Sequence, residues 1–165
     1  MHIEKSLASI HSLAAEKEEE NQQFALLLKS QPSEKIDTLV ADLNNQIAPQ
    51  IDCTNCGNCC KSLMINVTNE EADALSLHLN QSRSSFDAQY LEVGSTAMVM
   101  NTFPCAFLAE EKCTVYEHRF AGCREFPALH VPHFTKRLFT TFMHYGRCPI
   151  IYNVVENLKS LILNS

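Results

Sequence analysis

The chain has 165 residues, 45% of them hydrophobic, with thirteen Lys and Arg against nineteen Asp and Glu for a net charge of −6. That length suits one domain or one domain with an appendage and leaves no room for a barrel enzyme, and the apolar content is enough for an ordinary core, which excludes disorder as the main state. The acidic balance has the wrong sign for general coating of nucleic acid or anionic lipid, no apolar run approaches the roughly 18 residues of a membrane span, and the start Met1-His2-Ile3-Glu4-Lys5 lacks a signal-peptide core, so a cytoplasmic location is expected.

Residues 1–50 contain neither cysteine nor glycine and read as a separate helical unit. Ile3, Leu7, Ile10 and Ala14 recur at helical spacing, charge from Glu16 to Glu20 interrupts the stripe, and Phe24, Leu27 and Leu28 resume it. One long helix or two short ones satisfy that pattern. Pro32 stands where a helix can begin, and Ile36, Leu39, Val40, Leu43 and Ile47 form a continuous apolar face before Pro49. The expectation is an antiparallel helical hairpin whose stripe packs against the rest of the chain, with docking of a protein partner on these helices as the alternative. The Glu run is expected to be a solvated face.

Leu63 to Val67 is a short apolar, β-branched run, and Thr68-Asn69-Glu70-Glu71 is a capping-box pattern that opens a helix through Leu79. Ser84 to Leu91 reads as a further short helix, and Gly94 as a break. Cys105 to Leu108 and Cys113 to Tyr116 read as short strands joined by a tight turn at Glu110-Glu111-Lys112, which would bring Cys105 near Cys113. Pro149 fits a first helical turn, after which Ile151, Val154, Val155, Leu158 and Ile162 give a terminal amphipathic helix. The fold class expected is helix-rich α+β: a hairpin over 1–50, then a small irregular metal-centred domain with short strands and a C-terminal helix over 51–165.

Eight cysteines in a chain without an export signal point to metal rather than to a disulfide framework, because a reducing compartment keeps thiols as thiols. Four of them lie in Cys53-Thr54-Asn55-Cys56-Gly57-Asn58-Cys59-Cys60. Two residues between thiolates let a turn aim both sulfurs at one ion, and Gly57 permits the positive φ such a loop uses. The C-x2-C-x2-C spacing resembles the run that holds iron–sulfur clusters in bacterial ferredoxins, whereas C-x2-C pairs recur in zinc sites, and spacing does not choose between them. Side chains of adjacent residues usually diverge, so Cys59 and Cys60 are not expected to serve one mononuclear ion together. With Cys105, Cys113, Cys123 and Cys148 the eight candidates match two four-thiolate sites or one cluster with spares. The cofactor expected is zinc or iron, the latter including a 4Fe–4S cluster. Lys61, Lys112, Arg124 and Arg147 each adjoin a cysteine and would offset thiolate charge.

Cys53-x2-Cys56-x2-Cys59-Cys60, Cys105-Ala106-Phe107-Leu108, and Cys113-Thr114-Val115-Tyr116-Glu117-His118-Arg119 running to Cys123-Arg124-Glu125-Phe126-Pro127 together resemble the YkgJ-type cysteine-cluster (CxxCxxCC) family. The resemblance implies a zinc- or iron-chelating domain whose cluster cysteines are Cys53, Cys56, Cys59, Cys60, Cys105, Cys113 and Cys123 and whose arginines are Arg119 and Arg124, with Cys148 the weaker match. The family commonly has Pro where this chain has Phe120. Flagellin lysine methylases carry a similar cysteine cluster, which makes an iron–sulfur redox or protein-modifying enzyme the alternative function.

The chain offers no phosphate loop, dinucleotide fingerprint, nucleophile elbow or H-E-x-x-H motif. From Phe126 to Val155 there is no acidic residue, while Lys136, Arg137, Arg147 and three histidines fall there, which suits either an anion pocket or a solvated strand pair that balances the thiolates. His118, His130 and His133 are further candidate ligands, more often structural or exposed than ligating.

Overall fold

The computed structural model describes residues 3–164. Its helices and strands follow in chain order as α1 (Leu7–Glu16), α2 (Glu18–Lys29), α3 (Ser33–Ile47), β1 (Asn66–Val67), α4 (Asn69–His78) and α5 (Arg83–Tyr90). Then come β2 (Leu91–Val93), β3 (Met98–Met100), β4 (Leu108–Ala109), β5 (Lys112–Cys113), α6 (Ala121–Glu125), α7 (Leu138–Tyr145) and α8 (Pro149–Leu163). The fold is helix-rich α+β. No helix among the described residues is long and apolar enough to cross a membrane. The chain divides into two compact units, one made of residues 1–52 and 127–165, the other of residues 53–126.

The first unit is helical. Ser6 caps α1 by accepting the Ser9 amide at 3.3 Å, and the first apolar stripe is carried by two helices rather than one, the chain leaving helical geometry at Lys17 (φ −98°, ψ 14°). The Lys17 ammonium is drawn to the Glu156 carboxylate, while Glu16, Glu18, Glu19 and Glu20 stay exposed. Ile36, Val40, Leu43 and Ile47 of α3 are buried, and α3 packs chiefly against α8. Pro149 takes the first turn of α8, but this helix is no half-exposed stripe: Ile150, Ile151, Tyr152, Val154 and Val155 are all buried, because α1, α3 and α7 pack on it from several sides. The buried Asn153 amide accepts from the Glu4 N–H at 2.9 Å and donates to the Glu4 carbonyl at 2.7 Å, which ties the start of the chain to α8.

Where a solvated strand pair was one expectation for the acid-free stretch, the chain forms a 3₁₀ turn (Phe134–Lys136) and α7, both in this unit. The Asp37 carboxylate accepts the His133 and Phe134 amides at 2.8 Å each, and Arg137 donates to the carbonyls of Ala128 and Val131. The Glu156 carboxylate accepts from Tyr145 at 2.7 Å, from Lys159 at 2.8 Å and from Lys17, and Lys159 also reaches Glu20 at 2.6 Å. Burial pushes the Glu156 pKa up, yet the Lys159, Lys17 and Tyr145 donors outweigh it and hold the carboxyl below its ordinary value.

In the second unit β1, β3 and β2 form an antiparallel sheet in that order, and β4 pairs with β5 through Leu108↔Cys113 and Ala109↔Lys112. The capping box is realised: Thr68 Oγ1 accepts the Glu71 amide at 3.2 Å and Glu71 accepts the Thr68 amide at 3.0 Å. The other Glu71 oxygen accepts the Ala121 amide at 2.6 Å, so one carboxylate joins the starts of α4 and α6. Ile65, Val67, Leu75, Phe86, Phe107 and Phe120 belong to a continuous buried core, and Cys105, Cys113 and Cys123 pack against it. The thiols thus form part of the edge of an apolar core.

Candidate metal centre

All eight cysteines are in the thiol form. Seven of them, Cys53, Cys56, Cys59, Cys60, Cys105, Cys113 and Cys123, lie in the second unit, whereas Cys148 is the buried N-cap residue of α8 in the first.

The cysteine loop is fastened by its backbone. Cys53 accepts the Cys56 amide at 3.3 Å in a turn, and Gly57 follows with φ +56°. A Cβ on Gly57 would stand 2.4 Å from the Glu111 carbonyl oxygen, so both the left-handed backbone and the close approach require glycine. Cys59 to Lys61 form a 3₁₀ turn closed by the Ser62 and Leu63 amides on the Cys59 carbonyl. The Cys60 carbonyl accepts the Cys105 amide at 2.8 Å, and Lys61 pairs with Glu111 at 2.6 Å. Three ties therefore hold the loop to the segment around β4 and β5, the tight turn of which places Cys105 near Cys113 as its sequence predicts.

Cys60, Cys105, Cys113 and Cys123 come from four segments, and all four thiols are raised above their ordinary value. A hydrogen bond with Cys59, burial and the Cys59 charge push the Cys60 thiol up. This hydrogen bond between adjacent thiols departs from the divergence expected of neighbouring residues. Burial raises Cys105, aided by Cys60 and Cys113, and raises Cys113, aided by Cys60. Cys123 is pushed up to about 12 by burial and by Cys105, Cys60 and Cys113. Two amides oppose the trend in the same way, since Phe107 donates to the Cys105 sulfur and Val115 to the Cys113 sulfur, each from two residues downstream. The Arg119 guanidinium opposes it at Cys60, Cys113 and Cys123.

Thiolate sulfur is the donor type that thiophilic cations take. Mutual repulsion and burial disfavour the four thiolates without a positive charge among them, and a bound metal ion supplies that charge. Among the described residues no three Cys, His, Asp or Glu side chains already stand in ligating geometry.

Of the basic neighbours singled out in sequence, Lys61 is paired with Glu111 and Arg124 donates to the Arg119 carbonyl, while the Arg119 charge favours the thiolates of Cys60, Cys113 and Cys123. Sequence adjacency does not disclose that role, although the resemblance includes the residue. His118 stacks on His78 with ring centroids 3.7 Å apart, and His130 and His133 are exposed residues of the first unit.

Residues 52–147, 96 of the 165, match the sequence model of the CxxCxxCC family, whose description is "Putative zinc- or iron-chelating domain". The chain belongs to this family. The CxxCxxCC match takes in all seven cysteines of the second unit and ends one residue before Cys148. No curated protein and no solved structure matches the chain.

Proposed function

We propose that the unit over residues 53–126 is a metal-holding module, of zinc or iron, in which Cys60, Cys105, Cys113 and Cys123 supply a four-thiolate centre in a reducing, cytoplasmic setting. The observation that carries this reading is that these four cysteines are half-buried, with Cys105, Cys113 and Cys123 packed against one apolar core and the Cys60 carbonyl bonded to the Cys105 amide. Binding draws the four sulfurs together about the ion from their present arrangement. Cys53, Cys56 and Cys59 lie on the loop that leads into these four, and Cys148, the N-cap residue of α8, lies in the first unit. A centre of this kind suits storage, delivery or regulation, since a closed four-thiolate zinc site has no open position for catalysis.

One observation favours a second reading. The contact of the Cys59 and Cys60 thiols puts a fifth sulfur beside the set, which suits a polynuclear iron–sulfur centre and with it electron transfer or a protein-modifying reaction like that of flagellin lysine methylases. Anaerobic purification of the whole chain followed by zinc, iron and acid-labile sulfide analysis tests both. Zinc without sulfide supports the first reading, and about four irons with as many sulfides the second. Protein that takes up neither metal under reducing conditions would overturn both.

A further inference from the structure

Cys123 stands on α6, a helix of five residues whose N-cap residue, Phe120, is buried in the apolar core and offers the first amides no side-chain acceptor. Glu71 of α4 takes that role from 50 positions away in sequence. Its Oε1 accepts the Ala121 amide at 2.6 Å, while its Oε2 accepts the Thr68 amide at 3.0 Å in the capping box. The Ala121 amide shares one peptide group with the Phe120 carbonyl, and that carbonyl accepts the Cys123 amide at 3.0 Å and the Arg124 amide at 3.1 Å. Two hydrogen bonds through a single planar peptide group therefore lead from the Glu71 carboxylate to the backbone of Cys123. Backbone pairing joins the other candidate ligands: the Cys60 carbonyl accepts the Cys105 amide, and Cys113 pairs with Leu108 across β4 and β5. For Cys123 a side chain supplies the tie.

We propose that Glu71 is a positioning residue of the metal centre: its carboxylate caps α6 from outside that helix and so holds the Cys123 thiol where it can join Cys60, Cys105 and Cys113 about one ion. A carboxylate suits the task because it gives each of the two amides its own oxygen, and a charged acceptor bonds an amide more strongly than a neutral one does. The proposal rests on the metal-binding reading above, and ascribes to Glu71 no bond to the metal itself.

The test uses the full chain under reducing conditions. Alkylation of Cys105, Cys113 and Cys123 by iodoacetamide in the metal-free form is timed by peptide mass spectrometry, and zinc affinity is read by competition with a chromophoric chelator. Glu71→Gln leaves one acceptor oxygen for two amides, and is expected to weaken zinc binding about tenfold and to speed alkylation of Cys123 about tenfold, with Cys105 and Cys113 unchanged. Thr68→Ala loosens the start of α4 but keeps the carboxylate on Ala121, and is expected to move either readout by less than about threefold. Zinc binding by Glu71→Gln within about threefold of wild type overturns the proposal. So does an equal loss in Thr68→Ala, or an equal rise in alkylation at all three cysteines, since either would make general loosening the cause. Should Glu71→Gln fail to fold, amide exchange in the metal-free wild type decides: an Ala121 amide protected along with those of Cys123 and Arg124 upholds the proposal, and one that exchanges as if unbonded overturns it. A wild-type chain that binds neither zinc nor iron instead defeats the metal-binding reading, and the alkylation rates then still decide whether Glu71 places Cys123.

Discussion

Replacing Gly57 with Ala perturbs the cysteine loop at its tightest point. At φ +56° an L side chain costs about 1–2 kcal/mol. The new Cβ would also meet the Glu111 carbonyl oxygen at 2.4 Å and its carbonyl carbon at 2.8 Å, backbone atoms that cannot rotate away. Overpacking of that kind costs about 1–3 kcal/mol more, so the whole penalty is about 2–5 kcal/mol. Relief comes only from parting the loop and the β4–β5 turn, which separates Cys60 from Cys105 and Cys113. Gly57→Ala is therefore expected to lose most of its bound metal and amide protection over residues 53–126, with α3 and α8 unaffected. Gly122→Ala is the control, since its Cβ meets only the Ile65 side chain, at 3.4 and 3.7 Å, and the site lies within α6, where Ala is the better helix former. Metal content by elemental analysis and protection by amide exchange decide the matter. Wild-type values for both in Gly57→Ala would refute the claim that this contact positions the thiols.

Glu156→Gln is expected to destabilise the first unit by about 3 kcal/mol in chemical denaturation, because it leaves the buried Lys159 with Glu20 alone and releases Lys17. The Glu156 carboxyl titrates below its ordinary 4.5, so its contribution is complete above that pH and is lost as the pH falls through the lower folded-state value; a wild-type advantage that instead vanished between pH 6 and 8 would contradict this. Glu110 and Glu111 form a two-residue hairpin turn with φ of 48° and 66°, so Glu110→Asn with Glu111→Gly should raise stability by about 1 kcal/mol after loss of the exposed Lys61–Glu111 pair, and a lower melting temperature would count against that assignment of strain. Cys60→Ser should lose more metal than Cys59→Ser, and equal losses would shift the balance to a polynuclear centre that uses both sulfurs.

The parts of the molecule that can be read from sequence are those fixed by neighbouring residues. The Thr68–Glu71 capping box, Pro149 at the start of α8, the glycine of the cysteine loop and the turn between Cys105 and Cys113 each follow from chemistry within a few positions. The hairpin of β2 and β3 escapes notice because its strands are three residues each and gain their stability from β1 and the core beneath. Residues 138–145 have a strand-like content of aromatic and β-branched side chains, yet Leu138, Thr141 and Tyr145 are buried at helical spacing and packing on α8 decides the conformation. The first unit runs to Asp52 and takes up the chain again at Pro127, and nothing local in the sequence announces that return.

The seven cysteines of the second unit are likewise unequal in a way that spacing conceals. Cys53 is exposed on the loop, while Cys105, Cys113 and Cys123 pack on an apolar core that Ile65, Phe107 and Phe120 help to build. Backbone contacts already join the loop to that core, through Gly57 on Glu111 and the Cys60 carbonyl on the Cys105 amide. A metal bound here would not have to gather remote segments against the full entropy of closing their loops, as an unfolded apo-domain requires. Its main contribution would be electrostatic: it would turn mutually repelling, half-buried thiolates into ligands. That division of labour is why the glycine that seats the loop should weigh as heavily on metal retention as a ligand does.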